Sequence, residues 1–245
     1  MDQPVQSLLP GSAAFQPAAS WRPGLAPARH SEIFSPADEA GGAGMALALT
    51  LDGIRAAGGL AGDDRRMVLW VQDRQALRLS GRPYRPGLPP ELRARLIHVA
   101  ARSPEDALFA LEEGLRCRDL ACVIGEIAGN PRALGLTASR RLSLMAEKQG
   151  VPLLLLRLDA ERDLSSARMR WDVRSAASPR PRWNPAAPGM PSWRAELFRA
   201  RGFNQGEWIL SDDGTGLSAQ RRRPSAAPDH GDLVQQAGDR SLAPF

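Results

Sequence analysis

Between residues 31 and 51 the chain reads S-E-I-F-S-P-A-D-E-A-G-G-A-G-M-A-L-A-L-T-L. A β-prone run, Glu32-Ile33-Phe34, enters a turn at Ser35-Pro36. Glycines follow, and an Ala/Leu-rich helical pattern begins at Met45. Strand, glycine loop and helix is the layout that cradles phosphate. Loop N–H groups bind the oxygens, a Lys reaches the β/γ-phosphates, and a Ser/Thr holds Mg²⁺. Here the layout is present without the chemistry. Laid over G-x-x-x-x-G-K-[ST], Ser35 and Ala40 take the glycine positions, Gly41 the lysine and Gly42 the hydroxyl, with Gly44 just beyond. The only lysine in the chain is Lys148. The stretch reads as a degenerate phosphate loop, either a βα connection without a ligand or a weakened nucleotide or anion site.

Few other side chains offer chemistry. Cys117 and Cys122 form a single C-x-x-x-x-C pair, which argues against zinc, and Cys122 lies in an apolar run as a core residue would. Of the histidines His30, His98 and His230, His98 sits inside an apolar strand and reads as a hydrogen-bonded core residue. No Ser/His/Asp set can be assembled from them. Arginines are the remaining resource. Arg168, Arg170 and Arg174 share one face of a strand, because strand side chains repeat every two residues. Arg140 and Arg141 lie on a helix, and Arg221, Arg222 and Arg223 form a basic run. Each group fits contact with phosphate or an acidic partner, and each equally fits a solvated face.

With 32 Lys+Arg against 27 Asp+Glu, the net charge is +5 and is carried by arginine. That favours nucleic acid or an acidic protein as partner, or reflects arginine-rich composition alone. Hydrophobic residues make up 43% of the chain and aromatics 5%, so aliphatic side chains must build the core. No signal-peptide pattern and no long uncharged apolar run is present, so no membrane association and a cytoplasmic protein are expected. No cofactor or metal is expected.

The elements that position these residues alternate. Met67–Val71, Leu96–Val99, Ala121–Ile124 and Leu153–Leu156 read as strands. Ser103-Pro104-Glu105-Asp106 opens a helix with its cap, N1 proline and first-turn acids. Another helix starts near Thr137, with Leu142, Leu144 and Met145 as its apolar stripe and Gly150 as its C-cap. Strand–helix alternation implies a parallel sheet with helices on both faces. Met169–Arg174, Trp193–Arg199 and Trp208–Leu210 alternate in polarity and read as antiparallel strands. Residues 1–30 and 211–245 read as flexible arms, the second basic, around a core of 31–210.

A parallel core opened by strand, glycine loop and helix, then followed by antiparallel strands, resembles a RecA-type ATPase core. Glu32–Pro36 resembles the RecA strand and turn that open its phosphate loop. Glu105–Leu108 with Leu111 resembles the helix before its Walker B strand. Ala167–Arg174 resembles the strand after its second DNA-binding loop. The chain more closely resembles a degenerate relative of RecA, the inducible mutagenesis protein A (ImuA) family. The resembling segments are His30–Phe34, Leu69-Trp70-Val71, Ala110–Leu115, Leu136–Leu142 and Trp193–Arg201.

The resemblance implies a RecA-like α/β fold with a degenerate P-loop. It also tests the catalytic positions. Arg74 falls where RecA has its catalytic Glu, and a cation cannot polarise water as a carboxylate does. Glu126 is the remnant Walker B carboxylate, either paired with an arginine or a functional remnant. The γ-phosphate sensor position becomes Leu156-Arg157. An absence of ATPase activity is therefore expected. The segment between Leu156 and Ser165 is short beside the RecA DNA loop and carries Asp159, Glu161 and Asp163, so at most weak DNA binding is expected.

By resemblance the function is that of a non-catalytic adaptor in the SOS response, serving translesion synthesis and mutagenesis. The implied partners are a Y-family-like polymerase homologue of the ImuB type, an error-prone C-family polymerase, and RecA. The rivals are a SulA-like cell-division inhibitor and a cryptic DNA-dependent ATPase.

Overall fold

The computed structural model describes residues 19–23, 30–58 and 65–222. In chain order the elements are β1 (Ala19–Ser20), β2 (His30–Ser35), α1 (Gly41–Ala56), β3 (Met67–Gln72), α2 (Arg74–Ser80), α3 (Pro90–Arg93), β4 (Leu96–Ala100), α4 (Pro104–Arg116), β5 (Leu120–Ala128) and α5 (Leu136–Gln149). They continue with β6 (Leu153–Leu158), β7 (Met169–Ser175), β8 (Ser192–Ala200), β9 (Phe203–Asn204), β10 (Gly206–Asp212) and β11 (Leu217–Arg222).

Nine strands among the described residues form one sheet in the order β11-β10-β8-β7-β2-β6-β5-β3-β4. From β7 to β4 every pairing is parallel, and from β7 to β11 every pairing is antiparallel. The expected α/β fold with an antiparallel C-terminal extension is what the chain forms. One strand departs from expectation. β7, expected among the antiparallel strands, pairs parallel to β2 and is the last of the parallel set. The chain crosses from β6 to β7 through residues 159–168 without a helix.

Strand alternation sends each strand's residues to two layers. On one face α1 packs with Ile33, Trp70, Ile124, Leu156, Trp171 and Leu197. On the other, α4 and α5 pack with Leu69, Val123, Ile127 and Leu155. α4 forms where expected: Ser103 Oγ accepts from Asp106 N at 3.1 Å and Pro104 fills the first turn. Gly150 ends α5 in the left-handed region at φ 75°, where glycine has no Cβ to clash. Of the α5 stripe, Leu142 is buried and Met145 packs against the core, but Leu144 is 56% exposed.

Parts of the segments 1–30 and 211–245, expected as arms, are folded. Ala19–Ser20 pairs with Phe203–Asn204, and Trp21 is buried against Trp171 and Trp208, with ring centroids 4.8 and 5.9 Å away. At the other end β10 runs to Asp212, and β11 pairs with it in six register positions from Glu207↔Arg222 to Asp212↔Leu217. Arg221 and Arg222 therefore belong to the sheet. Arg223 and His230 lie outside the described residues.

Candidate functional site

Open α/β sheets place ligand crevices outside the carboxyl ends of their strands. Here a cavity of about 230 Å³ lies at the ends of β3, β5 and β6, between the β2–α1 loop and the segment after α2. Ala37, Asp38, Glu39, Ala40 and Ala43 form one wall, and Ser80, Gly81, Arg82 and Pro83 the other. Trp70, Gln72, Glu126 and Leu156 form the floor.

The glycines of the β2–α1 loop serve packing. A Cβ on Gly42 would stand 2.6 Å from Ser35 Cβ, one on Gly41 3.1 Å from Ser175 N, and one on Gly44 3.0 Å from Trp193 Nε1. They let α1 approach β2, β7 and β8. Ala40 gives no side-chain cap. Instead Ser35 Oγ accepts the Gly42 N–H at 3.2 Å, occupying a donor that a phosphate would use. Asp38 and Glu39 put negative charge in the loop. Glu39 accepts from Ser175 N at 2.9 Å and lies 3.9 Å from Arg174.

Glu126 is 1% exposed and, among the described residues, pairs with no arginine. Trp70 Nε1, Gln72 Nε2 and Ser80 Oγ each donate to it at 2.8 Å. Burial raises its pKa, and the three hydrogen bonds oppose that rise. The arginine-paired role expected from the sequence is thus replaced by three neutral donors. Gln72 Nε2 also donates to Gly81 O at 2.8 Å, so its Oε1 must face His98 Nε2, 2.8 Å away, and His98 must donate there. His98 is held as expected, though half-buried on an edge strand rather than in the core. Asp73, buried, caps α2 by accepting from Ala76 N at 2.6 Å, and Arg74 follows it exposed to solvent. Leu156 lies in the floor, while Arg157 points to the opposite face of the sheet.

No family model matches the chain. Protein ImuA of Caulobacter vibrioides, in strains NA1000/CB15N and ATCC 19089/CB 15, is 34% identical over 157 residues, covering 60% of this chain. Over that stretch the chain is similar to Protein ImuA. The match spans 63% of the length of those curated relatives.

The segments resembling the ImuA family meet one another in the fold. Glu112 of α4 accepts from Arg141 of α5 at 2.6 Å, and Leu111 and Leu142 are buried beneath that pair. Trp70 holds Glu126, and Trp193 of β8 covers Gly44. These residues build and join elements.

The other nominated arginines are largely paired. Arg170 is 4% exposed and bonds Glu32 through Nε at 2.6 Å, with Asp163 3.5 Å from its other end. Arg157, also buried, lies 3.2 Å from Asp163 and 3.8 Å from Glu32. Ser165 Oγ adds a bond to Glu32 at 2.7 Å. This buried cluster was not legible in the sequence. It exists because the 159–168 crossover, a polar loop, covers β2 where a helix would have brought apolar residues. Arg168 pairs with Glu147, Arg174 with Glu39 and Asp172, and Arg222 with Glu207. Arg221 bonds Gln205 O at 3.2 Å and lies over the Trp208 ring. Arg140 is exposed. These groups are spread over separate faces and do not form one surface. Among the described residues no three His, Cys, Asp or Glu side chains converge to hold a metal ion. Cys122 is buried and its thiol is pushed up to about 12 by that burial. No helix among the described residues is long and apolar enough to cross a membrane.

Proposed function

We propose that this chain is a non-catalytic, RecA-like accessory protein of damage-induced translesion synthesis, bridging RecA and error-prone polymerases in the cytoplasm. The observation that carries the reading is the 34% identity to Protein ImuA. Its partners would be an ImuB-type polymerase homologue and an error-prone C-family polymerase.

The crevice supports a role without hydrolysis. Phosphoryl transfer requires positioned charge at the phosphates and a group that orients water. Here the loop presents Asp38 and Glu39, the lysine position is Gly41, and Arg74 stands at the base position, turned to solvent. Glu126 is engaged by Trp70, Gln72 and Ser80. The degenerate loop thus joins β2 to α1 as a structural element.

Affinity capture from DNA-damaged cells with the full chain as bait tests the adaptor. Recovery of a translesion polymerase is expected. Recovery of a cell-division GTPase alone would favour a SulA-like inhibitor. Phosphate release from ATP with single-stranded DNA should equal that of a Glu126→Ala control; release above it would establish a hydrolase.

A further inference from the structure

A dense run of positive charge without acidic partners lies in the excursion from α2 to β4 at residues 74–95. It holds Arg74, Arg78, Arg82, Arg85, Arg93 and Arg95 against Glu91 alone, an excess that equals the net +5 of the whole chain. None of the six forms an ion pair among the described residues. Arg85 and Arg93 bond the carbonyl oxygens of Leu96 and Leu88 at 2.9 and 2.8 Å, which leaves their charge unneutralised. Arg74, Arg78 and Arg82 are exposed. By contrast Arg141, Arg168, Arg170, Arg174, Arg194 and Arg222 all meet carboxylates.

The excursion is held in shape. Leu88, Leu92 and Leu96 insert into the core. Pro83, Pro86, Pro89 and Pro90 restrict its backbone. Glu126, through Ser80 Oγ and Gln72, fixes its first turn to the sheet. Burial first, then Arg82 and Arg85, lower the pKa of His98, so these guanidinium groups crowd the edge strand β4.

Among the charges stands Tyr84, the only tyrosine of the chain. Its ring is seated on Gly87, where a Cβ would come within 3.0 Å of Cδ1, yet the residue is 73% exposed. A large aromatic side chain kept in water among guanidinium groups matches one partner well. In single-stranded nucleic acid, phosphates take guanidinium and unstacked bases lie on aromatic rings. A double helix offers no free base face, and an acidic peptide would use the charge but leave the ring idle. We propose that residues 74–95 bind single-stranded nucleic acid, with Arg78 and Arg82 on phosphates and Tyr84 stacked on a base. This stands on charge and exposure and does not rest on the adaptor reading.

The test is fluorescence anisotropy of a fluorescein-labelled oligo-dT of about 20 nucleotides, titrated with the full chain over a salt series. Tyr84→Ala should weaken binding about 5- to 150-fold, and Tyr84→Phe should retain it. Arg78→Ala with Arg82→Ala should flatten the slope of log K against log salt by about 1.4. All these side chains are exposed, so circular dichroism should match the parent. Arg221→Ala with Arg222→Ala and Arg223→Ala should keep binding. The proposal is overturned if no binding occurs, if Tyr84→Ala and the double variant bind like the parent, or if the Arg221–223 variant alone loses binding. Equal competition by polyglutamate and unlabelled oligo-dT, with Tyr84→Ala neutral, would assign the surface to an acidic peptide instead.

Discussion

Single residues carry the polar chemistry of this molecule inward. His30 is 1% exposed, and its Nδ1 lies 2.7 Å from Ser143 Oγ while Nε2 has no hydrogen-bond partner among the described residues. An orphaned lone pair costs less than an orphaned N–H, so Nδ1–H donates and Nε2 stays bare. From Ser143 a run of hydroxyls through Ser166, Ser139 and Ser165 ends on Glu32. Burial lowers the His30 pKa to about 4; Glu32 pulls the other way, and Arg170 and Arg157 reinforce burial. The unfolded chain therefore holds more protons than the folded one between pH 6.5 and about 4. Stability from His30 is complete above that window and falls as pH drops through it, by about 3 kcal/mol in all. Glu126, with a raised pKa, has the opposite sign: its ionisation costs stability as pH rises. Urea unfolding of parent and His30→Asn across the window separates the two. The variant should lose the rise in stability with pH, and an unchanged slope would mean His30 takes up a proton in the fold without cost.

At the scale of elements, local chemistry foretold most helices and the interior strands. The cap and proline of α4, the glycine ending α5 and the apolar runs of β3, β5 and β6 are all written locally. β1 is not. Two residues paired to two others leave no periodicity to read, and the Pro/Ala/Ser-rich surroundings of Trp21 resemble a disordered arm. Trp21 is nevertheless buried, edge-on to Trp171 at an interplanar angle of 72°. Trp21→Ala should cost about 3–5 kcal/mol, read as a lower urea midpoint at unchanged m-value. A loss under about 1 kcal/mol would mean that the segment does not dock. β7 shows the converse. Its alternation was legible, with Met169, Trp171 and Val173 inward. Its direction was not, because that depends on where the helix-free crossover returns the chain. Glu126 is similar: its position at a strand end was readable, but its donors come from β3 and α2, 46 to 56 residues away.

For the whole molecule, the boundary of the folded unit was misplaced for the same reason. β11 buries little beyond Leu217, and its other residues are polar and exposed or half-exposed, so its sequence reads as tail. Its partner supplies the order. Arg55 of α1 further ties the β10–β11 turn by donating to Gly214 O at 2.8 Å. Relative to a chain ending at Arg222, one ending at Leu210 should lose at least about 2 kcal/mol, seen as a lower midpoint of thermal unfolding. Equal midpoints would place β11 outside the cooperative unit. The sequence alone determined the class of fold, the family resemblance and the absence of a lysine from the opening loop. These are statements about residue type and near neighbours, which a linear string contains. Only the tertiary structure decided which arginines are neutralised and which stay free, what holds Glu126, and how far the sheet extends. Those depend on pairings between distant segments, and charge is cancelled or left exposed by whichever side chain the fold brings beside it.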